Sequence, residues 1–525
     1  MLMSTCSLAV VGLRWWIWDN FFRKIVANDK NIGVLCGSFK TITSLYKQQN
    51  SMKNKFIIGA AIILAFVSFI FCRCATGTST YAYVTDGDGR LLFHNITFRN
   101  EGIMPFYLNV HNQLPRASSV TITFDPTVLE LPNTRNSENH TLFPESMIQF
   151  TNEGILTLAA GATQSSAIEM ILTSDGSLDP DMSYVIPLRI RVTSGNLQIT
   201  ERDETKLVFV RDLTAQPYQT VNPYGIRMIS CYEANDMNPL NHLSFTLEST
   251  GELFFNMVII FSANVNFDEE TQRPFVRFNE NLQPKFDRFY HYYRPLQERG
   301  ARLILSLLPH WDRAGLANMP AEMARVFAQE VREISDTFGL DGIMLDEEYM
   351  ARHYVTNPAP GFLYPSQYNL ARLAFEIKQA QPHRYLLLYM FADVNASPDW
   401  EGNRFNFRLP YIDGVPPGEF IDYALHDYGR FQDLDDNQIP GLPQSRWGMR
   451  SQEWAINRYP ATSQEIENLL REERDAGRLT HMIFAFDPFR RNWDSIQWPA
   501  MQRTARAYFN DVVIDSGERF PIDWR

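Results

Sequence analysis

Residues 340–349 constrain the fold of this chain more than any other stretch, because an apolar run ends there in three consecutive acids. On a β-strand, alternate side chains share a face, so Met344, Asp346 and Glu348 are predicted to point the same way. Two carboxylates crowded at the end of an apolar strand resist ionising together, and the pair is predicted to hold a proton at neutral pH. A held proton is what a general acid needs. A solvated helix start is the alternative, and the apolar residues before the acids argue against it.

Beyond about residue 224, apolar runs alternate with amphipathic stretches, which is typical of an α/β domain with a parallel sheet. Helices are predicted at Ala321–Phe338 and Gln464–Ala476. Eight strands fit a (β/α)8 TIM barrel over residues 222–525, in which chemistry lies at the C-terminal ends of the strands. Asp346 and Glu348 close the fourth. The predicted strands are Ile226–Tyr232, Phe255–Ala263, Arg302–Leu308, Gly342–Asp346, Arg384–Phe391, Phe420–His426, Trp447–Met449 and His481–Phe486.

Residues 81–212 show a different pattern, with short alternating segments separated by turn residues. This pattern predicts a smaller, all-β, sandwich-like domain before the barrel. None of its residue clusters carries recognisable chemistry. A linker is predicted over residues 211–221. The predicted strands include Thr97–Phe98, Phe106–Val110, Val120–Phe124, Ile168–Leu172 and Tyr184–Val192.

The first 74 residues have the character of a leader. Residues 1–51 show no clear period, and we predict that translation starts at the methionine that follows them. A basic tip, the apolar run Phe56–Phe71 and a cysteine then predict a lipoprotein-type signal over 52–74, acylated at Cys72 or Cys74. The expected location is exported, either lipid-anchored at the bacterial outer membrane or cell surface, or periplasmic. A plain cleaved signal and an uncleaved anchor are the alternatives, the run being at the short limit for spanning a bilayer.

Composition excludes several classes of function. The net charge is −12, and the residues after position 74 hold 39 Lys and Arg against 58 Asp and Glu. Nucleic-acid binding needs basic patches, so a nucleic-acid partner is not expected. Only Cys231 lies beyond residue 74, which rules out a disulfide framework or a cysteine-rich metal site in the folded body. The histidines show no ligand spacing, and neither a metal nor a cofactor is predicted.

The run Asp341-Gly342-x-x-x-Asp346-x-Glu348 resembles the catalytic signature of glycoside hydrolase family 18. Further stretches resemble the endoglycosidase H type of endo-β-N-acetylglucosaminidase, and the resemblance covers about residues 225–515. The 81–212 segment resembles the β-rich domain of unknown function that precedes the catalytic domain in some secreted Gram-negative members. The further stretches are Ala263–Asp268, Phe278–Gln283, Gly315–Asn318 and Tyr349.

The resemblance implies substrate-assisted, retaining hydrolysis of the β-1,4 bond between the two core N-acetylglucosamines of N-linked glycans, with an N-glycan or N-glycoprotein as partner. Glu348 would protonate the leaving oxygen and Asp346 would hold the acetamido N–H. Tyr428 would donate to the acetamido carbonyl. Trp311 and Trp454 are candidate stacking platforms, with a place in the core or at the rim as the alternative. Candidate sugar contacts are Glu233, Asn235, Asn266, Tyr349 and Tyr389.

Met344 departs from the family pattern, which usually has an acid at that position. Asp346 thereby loses a like-charged neighbour, which lowers its pKa, and gains apolar surroundings, which raise it. The sequence leaves the net direction open. Two alternative functions follow: a non-catalytic glycan-binding surface lipoprotein on a degenerate barrel, favoured by Met344, and a chitinase-like hydrolase. Retention of Glu348 favours an enzyme, because a pure binder needs no acid there.

Overall fold

The computed structural model describes residues 80–131, 141–180, 182–201, 203–215, 225–310, 313–348, 357–390, 408–427, 439–454 and 464–524. The predictions for the leader and signal, and for Trp311, Tyr349 and Tyr428, lie outside these ranges. None of the helices within them combines the length and apolarity that crossing a membrane requires.

The N-terminal strands form two sheets that face each other across an apolar core. One sheet has the order β10-β1-β3-β8-β6, and the other has the order β2-β11-β9-β4-β7 with β5 paired to β9. Alternation builds the core, since the buried Ile168, Met170 and Leu172 of β8 face inward. The strands are β1 Thr80–Asp86, β2 His94–Phe98, β3 Glu101–Val110, β4 Ser118–Phe124, β5 Thr141–Leu142, β6 Ile148–Phe150, β7 Ile155–Leu158, β8 Ile168–Thr173, β9 Tyr184–Ser194, β10 Leu197–Ile199 and β11 Thr205–Asp212.

The linker prediction was wrong at its start. Arg211 and Asp212 belong to β11, where Arg211 pairs with Thr97 of β2. The sheet continues because the run before them, residues 207–210, pairs with β9. The sandwich therefore extends to Asp212, and Arg211 has a partner far along the chain.

The described residues after the sandwich contain a parallel sheet in the order β20-β19-β18-β17-β16-β14-β12-β22-β21. The seventh predicted strand is split: β20 pairs with β19, β21 pairs with β22, and only residues 449–451 separate them. The antiparallel β15 extends β14, and β13 pairs with β23. These strands are β12 Arg227–Glu233, β13 Phe245–Leu247, β14 Met257–Asp268, β15 Arg273–Arg277, β16 Arg302–Pro309, β17 Gly342–Asp346, β18 Tyr385–Met390, β19 Tyr423–His426, β20 Trp447–Gly448, β21 Gln452–Glu453, β22 Thr480–Phe484 and β23 Val513–Asp515.

Helices alternate with these strands, as predicted. The helix Ala321–Phe338, α4, has the predicted bounds. It is capped by Gly339, whose φ of 61° is the left-handed conformation that glycine adopts easily. The α-helices are α1 Gln283–Asp287, α2 Phe289–Tyr292, α3 Arg294–Glu298, α4 Ala321–Phe338, α5 Gln367–Ala380, α6 Pro417–Phe420, α7 Gln464–Asp475 and α8 Trp498–Phe509. Short 3-10 helices span Pro126–Glu130, Glu145–Met147, Thr151–Gly154, Pro239–Ser244 and Gln444–Arg446, and a π-helical turn spans Trp493–Gln497.

The two faces of the parallel sheet bury separate apolar clusters, and this confirms the predicted alternation along β17. Ile343 and Leu345 belong to the larger cluster, which includes the buried residues of the helices. Met344 belongs to the smaller cluster, which joins residues of several strands, including Cys231 and Leu387. The face that carries Met344 therefore leads directly to Asp346.

The sandwich contacts the parallel sheet where the strands begin. Asp341, just before β17, accepts hydrogen bonds from Arg211 of the sandwich and from Arg302, the latter at 3.1 Å. Asp422, just before β19, accepts from Arg90 of the sandwich at 3.1 Å and from Lys378 at 2.8 Å. These ion pairs fasten the sandwich at the N-terminal ends of β17 and β19.

Candidate active site

Asp346 ends β17 as a deeply buried carboxyl. The residue is only 1% exposed, and its Oδ1 atom has no hydrogen-bond partner within the described ranges. Burial raises its pKa well above the usual value, and the nearby carboxyls of Glu348, Glu347 and Asp427 raise it further. The structure thus answers what the sequence left open: apolar surroundings, which include Met344 two residues earlier, outweigh the missing acid.

Glu348 lies two residues beyond the strand end and is half-buried. It is hydrogen-bonded to Asp346, and this bond raises the pKa of Asp346, which favours a proton held on Asp346. Burial raises the pKa of the Cys231 thiol, and the carboxyls of Asp346, Glu233 and Glu348 raise it further. Three predicted site residues therefore converge over one buried thiol at the end of the strands.

Glu347, between these two acids, is a residue that the sequence reasoning missed. Its Oε2 accepts hydrogen bonds from the backbone N–H groups of Leu316 at 2.6 Å and Ala317 at 3.0 Å. Burial raises its pKa to about 8, although these two bonds oppose the rise. Glu347 thus holds the turn at residues 315–318, one of the stretches that carried the family resemblance. The signal was present in the strand alternation, which points the middle acid away from its neighbours.

Tyr389 lies directly beside Asp346 in the register of β18 against β17. Its hydroxyl donates to Asp427 Oδ1 at 2.6 Å, and burial and the Asp427 carboxylate raise its pKa well above the ordinary value. Asp427 immediately precedes Tyr428, the predicted acetamido partner. Tyr389 was predicted as a sugar contact, and in this structure its hydroxyl holds the segment that leads to Tyr428. Sequence reasoning did not single out Asp427.

Glu233 and Asn266 lie at neighbouring strand ends. Burial raises the pKa of Glu233 to about 7, with a further contribution from Asp236 and an opposing one from Arg490. Asn266 is buried near the end of β14, with its Nδ2 3.3 Å from His310 Nδ1. Although acids gather at this end, no group of three or more His, Cys, Asp or Glu in the described ranges is placed to hold a metal ion.

Asn235 and Trp454 complete the predicted residues that the structure describes. Asn235 is half-buried in the turn after β12, close to Glu233. Trp454 is 1% exposed, and its Nε1 donates to Gln452 Oε1 at 3.1 Å. The prediction of Trp454 as a stacking platform was wrong, because its ring is packed into the core.

This geometry agrees with the proteins to which the chain is similar. Over 300 residues, 57% of this chain and 83% of the relative, it is 40% identical to endo-β-N-acetylglucosaminidase F1 of Elizabethkingia meningoseptica. The chain belongs to the endo-β-N-acetylglucosaminidases of glycoside hydrolase family 18. It is also 29% identical over 234 residues to an endo-β-N-acetylglucosaminidase of Flavobacterium sp. (strain SK1022), covering 44% of this chain and 68% of that one.

The similarity extends to the two-part architecture of this endo-β-N-acetylglucosaminidase. The crystal structure of Bacteroides thetaiotamicron EndoBT-3987 with a Man5GlcNAc product matches 84% of this chain and 99% of its own, with a TM-score of 0.71 and 26% identity. A family model described as an N-terminal domain matches residues 78–197, which hold most of the sandwich strands. The family resemblance drawn from the sequence is thereby confirmed.

Proposed function

We propose that this protein hydrolyses the β-1,4 bond between the two core N-acetylglucosamines of N-linked glycans. The observation that carries the proposal is the hydrogen-bonded pair of Asp346 and Glu348 at the end of β17, with its raised pKa. Membership of the endo-β-N-acetylglucosaminidases supports the reaction, and the Man5GlcNAc product bound to EndoBT-3987 supports the substrate class.

The first step uses a nucleophile that the substrate brings with it. The acetamido oxygen of the −1 N-acetylglucosamine bonds to its own anomeric carbon while the glycosidic C–O bond breaks, and the leaving oxygen takes the proton of Glu348. Holding a nucleophile in place in this way contributes about 7–11 kcal/mol in well-oriented cases. The enzyme has to supply only an acid and a partner for the acetamido group.

The proton shared by Asp346 and Glu348 lets the pair supply both the acid and the partner for the acetamido group. When the acetamido N–H approaches the buried Oδ1 of Asp346, transfer of the Asp346 proton to Glu348 makes Glu348 the acid and leaves Asp346 as the accepting carboxylate. The Asp346 charge then stabilises the positive oxazolinium ring. In the second step water bonds to the anomeric carbon while the bond from that carbon to the acetamido oxygen breaks, and Glu348 takes the proton of the water. Return of this proton to Asp346 restores the starting pair. Tyr428, next to the anchored Asp427, is the proposed donor to the acetamido carbonyl.

We further propose that the parallel sheet closes into a (β/α)8 barrel, with β20 and β21 as the two halves of its seventh strand. Gly448 lies between the neighbouring strands: a Cβ atom there would meet Leu425 Cδ2 at 2.8 Å and Thr480 Cγ2 at 3.5 Å. Thr480 Oγ1 also donates to the Ser445 carbonyl at 2.9 Å. These contacts support closure between the sixth and eighth strands.

We also propose that the protein is exported and anchored to the bacterial outer membrane or cell surface through a lipid on Cys72 or Cys74. The basic tip and apolar run of residues 52–74 support this. Substitution of both cysteines by alanine should release the enzyme from the membrane fraction. An enzyme that stays membrane-bound in the double variant would contradict the lipid anchor.

Mass analysis after incubation with a high-mannose glycoprotein tests the proposed reaction. The expected products are a free glycan and a protein that keeps one N-acetylglucosamine at each site. Binding without release would instead support a glycan-binding protein, the function that Met344 alone favoured. Cleavage of chitin oligomers with no release from the glycoprotein would support the chitinase-like alternative.

A further inference from the structure

Glu347 lies between Asp346 and Glu348, and its side chain has no part in the proton transfers proposed above. Strand β17 ends at Asp346, which pairs with Tyr389 of β18. Glu348 lies two residues further on, past the last residue that strand pairing fixes. The position of Glu348 therefore depends on the contacts of the segment beyond the strand, and Glu347 is the first residue of that segment.

The side chain of Glu347 joins this segment to the turn at residues 315–318. Its Oε2 accepts the backbone N–H groups of Leu316 at 2.6 Å and Ala317 at 3.0 Å. Glu347 is buried, and Leu316 and Ala317 are fully buried. Two bonds to neighbouring amides constrain both the distance and the direction of the side chain, because hydrogen bonds weaken steeply away from their preferred geometry.

The turn that receives Glu347 is itself closed by a fully buried side chain. The Oδ1 of Asn318 accepts the backbone N–H of Gly315 at 2.8 Å, and its Nδ2 donates to the Arg313 carbonyl at 3.2 Å. Because both ends of the Asn318 amide bond within this short stretch, the turn keeps one shape. Glu347 is thus attached to a fixed support.

The same turn also holds the chain that follows the catalytic segment. The backbone N–H of Leu363 donates to the Asn318 carbonyl at 2.8 Å, and that of Ser366 donates to the Ala317 carbonyl at 2.9 Å. The turn therefore contacts the chain on both sides of Glu348. A displacement of the turn would move the backbone before and after the acid together.

We propose that Glu347 is a positioning residue for the reaction, which places the Glu348 carboxyl for proton transfer by binding the turn at residues 315–318. This inference rests on the proposed function, because the leaving oxygen that Glu348 protonates belongs to the glycan. Strand alternation turns the Glu347 side chain away from Asp346 and Glu348, so Glu347 acts through the backbone. A misplacement of about 1 Å can lower a rate by about 10²-fold, so a small shift here is expected to lower kcat.

Two substitutions separate positioning from acid chemistry. Glu347→Gln keeps the length and an acceptor oxygen but loses the acid, whereas Glu347→Asp keeps the acid but is too short to reach both amides. We expect Glu347→Asp to lower kcat roughly 10- to 100-fold, with KM within about twofold of the wild type. Glu347→Gln should keep kcat within about threefold of the wild type. Kinetics of glycan release from a high-mannose glycoprotein, with the full chain, measure both.

Glu330→Asp is the matched control, because it shortens a glutamate with a similar contact elsewhere. Glu330 lies half-buried on α4, and its Oε1 accepts the backbone N–H of Val276 at 2.8 Å. Both shortened variants should lower the Tm by about a few degrees, because each leaves a backbone N–H without its acceptor. Only Glu347→Asp should lower kcat, so thermal unfolding and kinetics together separate lost stability from lost position.

Asn318→Ala disturbs the turn from its other side. We expect it to lower kcat as Glu347→Asp does, with KM again close to that of the wild type. The double variant should lose less than the product of the two single losses, because both substitutions act through the same turn. Independent, multiplying losses would contradict a shared path through the turn.

The outcomes separate the positioning role from the reaction. Wild-type kcat in Glu347→Asp would overturn the role alone, and so would equal losses of kcat in Glu347→Asp and Glu330→Asp. A loss of kcat in Glu347→Gln with full kcat in Glu347→Asp would also overturn it, because Glu347 would then act through its proton. A wild type that releases no glycan would overturn the proposed function, and the positioning role with it.

Discussion

The two ends of β17 each present a fully buried aspartate, and the two behave in opposite ways. Asp341, at the start, accepts hydrogen bonds from Arg211, Arg302 and Gln297, and these partners hold its pKa down to about 2 despite burial. Asp346, at the end, faces carboxyls, and its pKa rises well above the ordinary value. Burial opposes ionisation at both ends, so the neighbours decide the protonation state.

Two aspartates of the same family signature therefore have different roles. Asp341 is held ionised by its partners and stabilises the structure, whereas Asp346 is the acid proposed for catalysis. Asp422 repeats the first pattern at the start of β19, where Lys378, Arg90 and Arg446 lower its pKa to about 2. Paired carboxylates thus fasten the sandwich where the strands begin. Several carboxyls gather where the strands end, and a proton held on Asp346 there is available for transfer.

The largest expected effect is on catalysis at the C-terminal end of β17. Glu348→Gln removes the proton donor, and we expect kcat to fall by about 10²- to 10⁴-fold, the usual contribution of general acid catalysis. Kinetics of glycan release measure it, with Glu333→Gln, an exposed glutamate on α4, as the matched control. Full release by Glu348→Gln would show that another group protonates the leaving oxygen.

The paired variants Asp341→Asn and Asp346→Asn test the comparison itself. Asp341→Asn leaves the buried Arg302 without its carboxylate, and we expect a loss of about 3–5 kcal/mol in the free energy of unfolding. Asp346→Asn removes an acid that burial already keeps neutral, so it should lower kcat without lowering stability at pH 7. Denaturant unfolding and glycan release measure the two effects. A large loss of stability in Asp346→Asn would contradict the contrast.

Glu347 should make the stability of the protein fall as the pH rises. Its pKa is about 8 when folded and close to 4.5 when unfolded, so the folded state binds the extra proton between these values. The contribution of this proton to the free energy of unfolding is complete below about pH 4.5 and disappears as the pH rises through 8. Glu347→Gln should flatten this slope by an amount on the order of 3 kcal/mol between pH 5 and 8. Unfolding curves across that range measure it, and an unchanged slope would contradict the raised pKa.

The smallest expected effect concerns the sandwich. Arg211→Met removes one of two cations from Asp341 while Arg302 stays, so we expect a loss of about 1–3 kcal/mol in stability and no change in kcat. Because Arg211 lowers the pKa of Asp341, the variant should also lose stability at a higher pH during acid unfolding. A fall in kcat at unchanged stability would show that the sandwich acts on the reaction.

Much of this architecture could be predicted from sequence because local patterns determine it. The bounds of β17 and α4 follow from apolar alternation, from the helical period and from Gly339 at the helix end. Asp346 and Glu348 could be assigned to a strand end from the apolar alternation of the strand and from the acids that follow it. The direction of the Asp346 pKa needed the three-dimensional surroundings.

What escaped prediction depends on partners distant in the chain. Arg211 was placed in a linker because its carboxylate partner is 130 residues away. Glu347 was overlooked because its role comes from two backbone N–H groups about 30 residues earlier. Trp454 was a candidate stacking platform with core packing as the alternative, and its buried ring, with Nε1 bonded to Gln452, fits the alternative. Spacing along the chain does not identify these partners, although strand alternation does point Glu347 away from its neighbouring acids.

Infrared difference spectroscopy of the carboxyl groups tests the central contrast most directly. Spectra recorded between pH 3 and 7 should show several protonated carboxyl bands that persist at pH 6 in the wild type, because Glu347 and Glu233 also have raised pKa values. One of these bands should be missing in Asp346→Asn, and the others should remain. Asp341→Asn should keep that band, because Asp341 is ionised throughout this range. A set of bands at pH 6 that is identical in the wild type and in Asp346→Asn, or the absence of any such band in the wild type, would contradict a proton held on Asp346 at the end of β17.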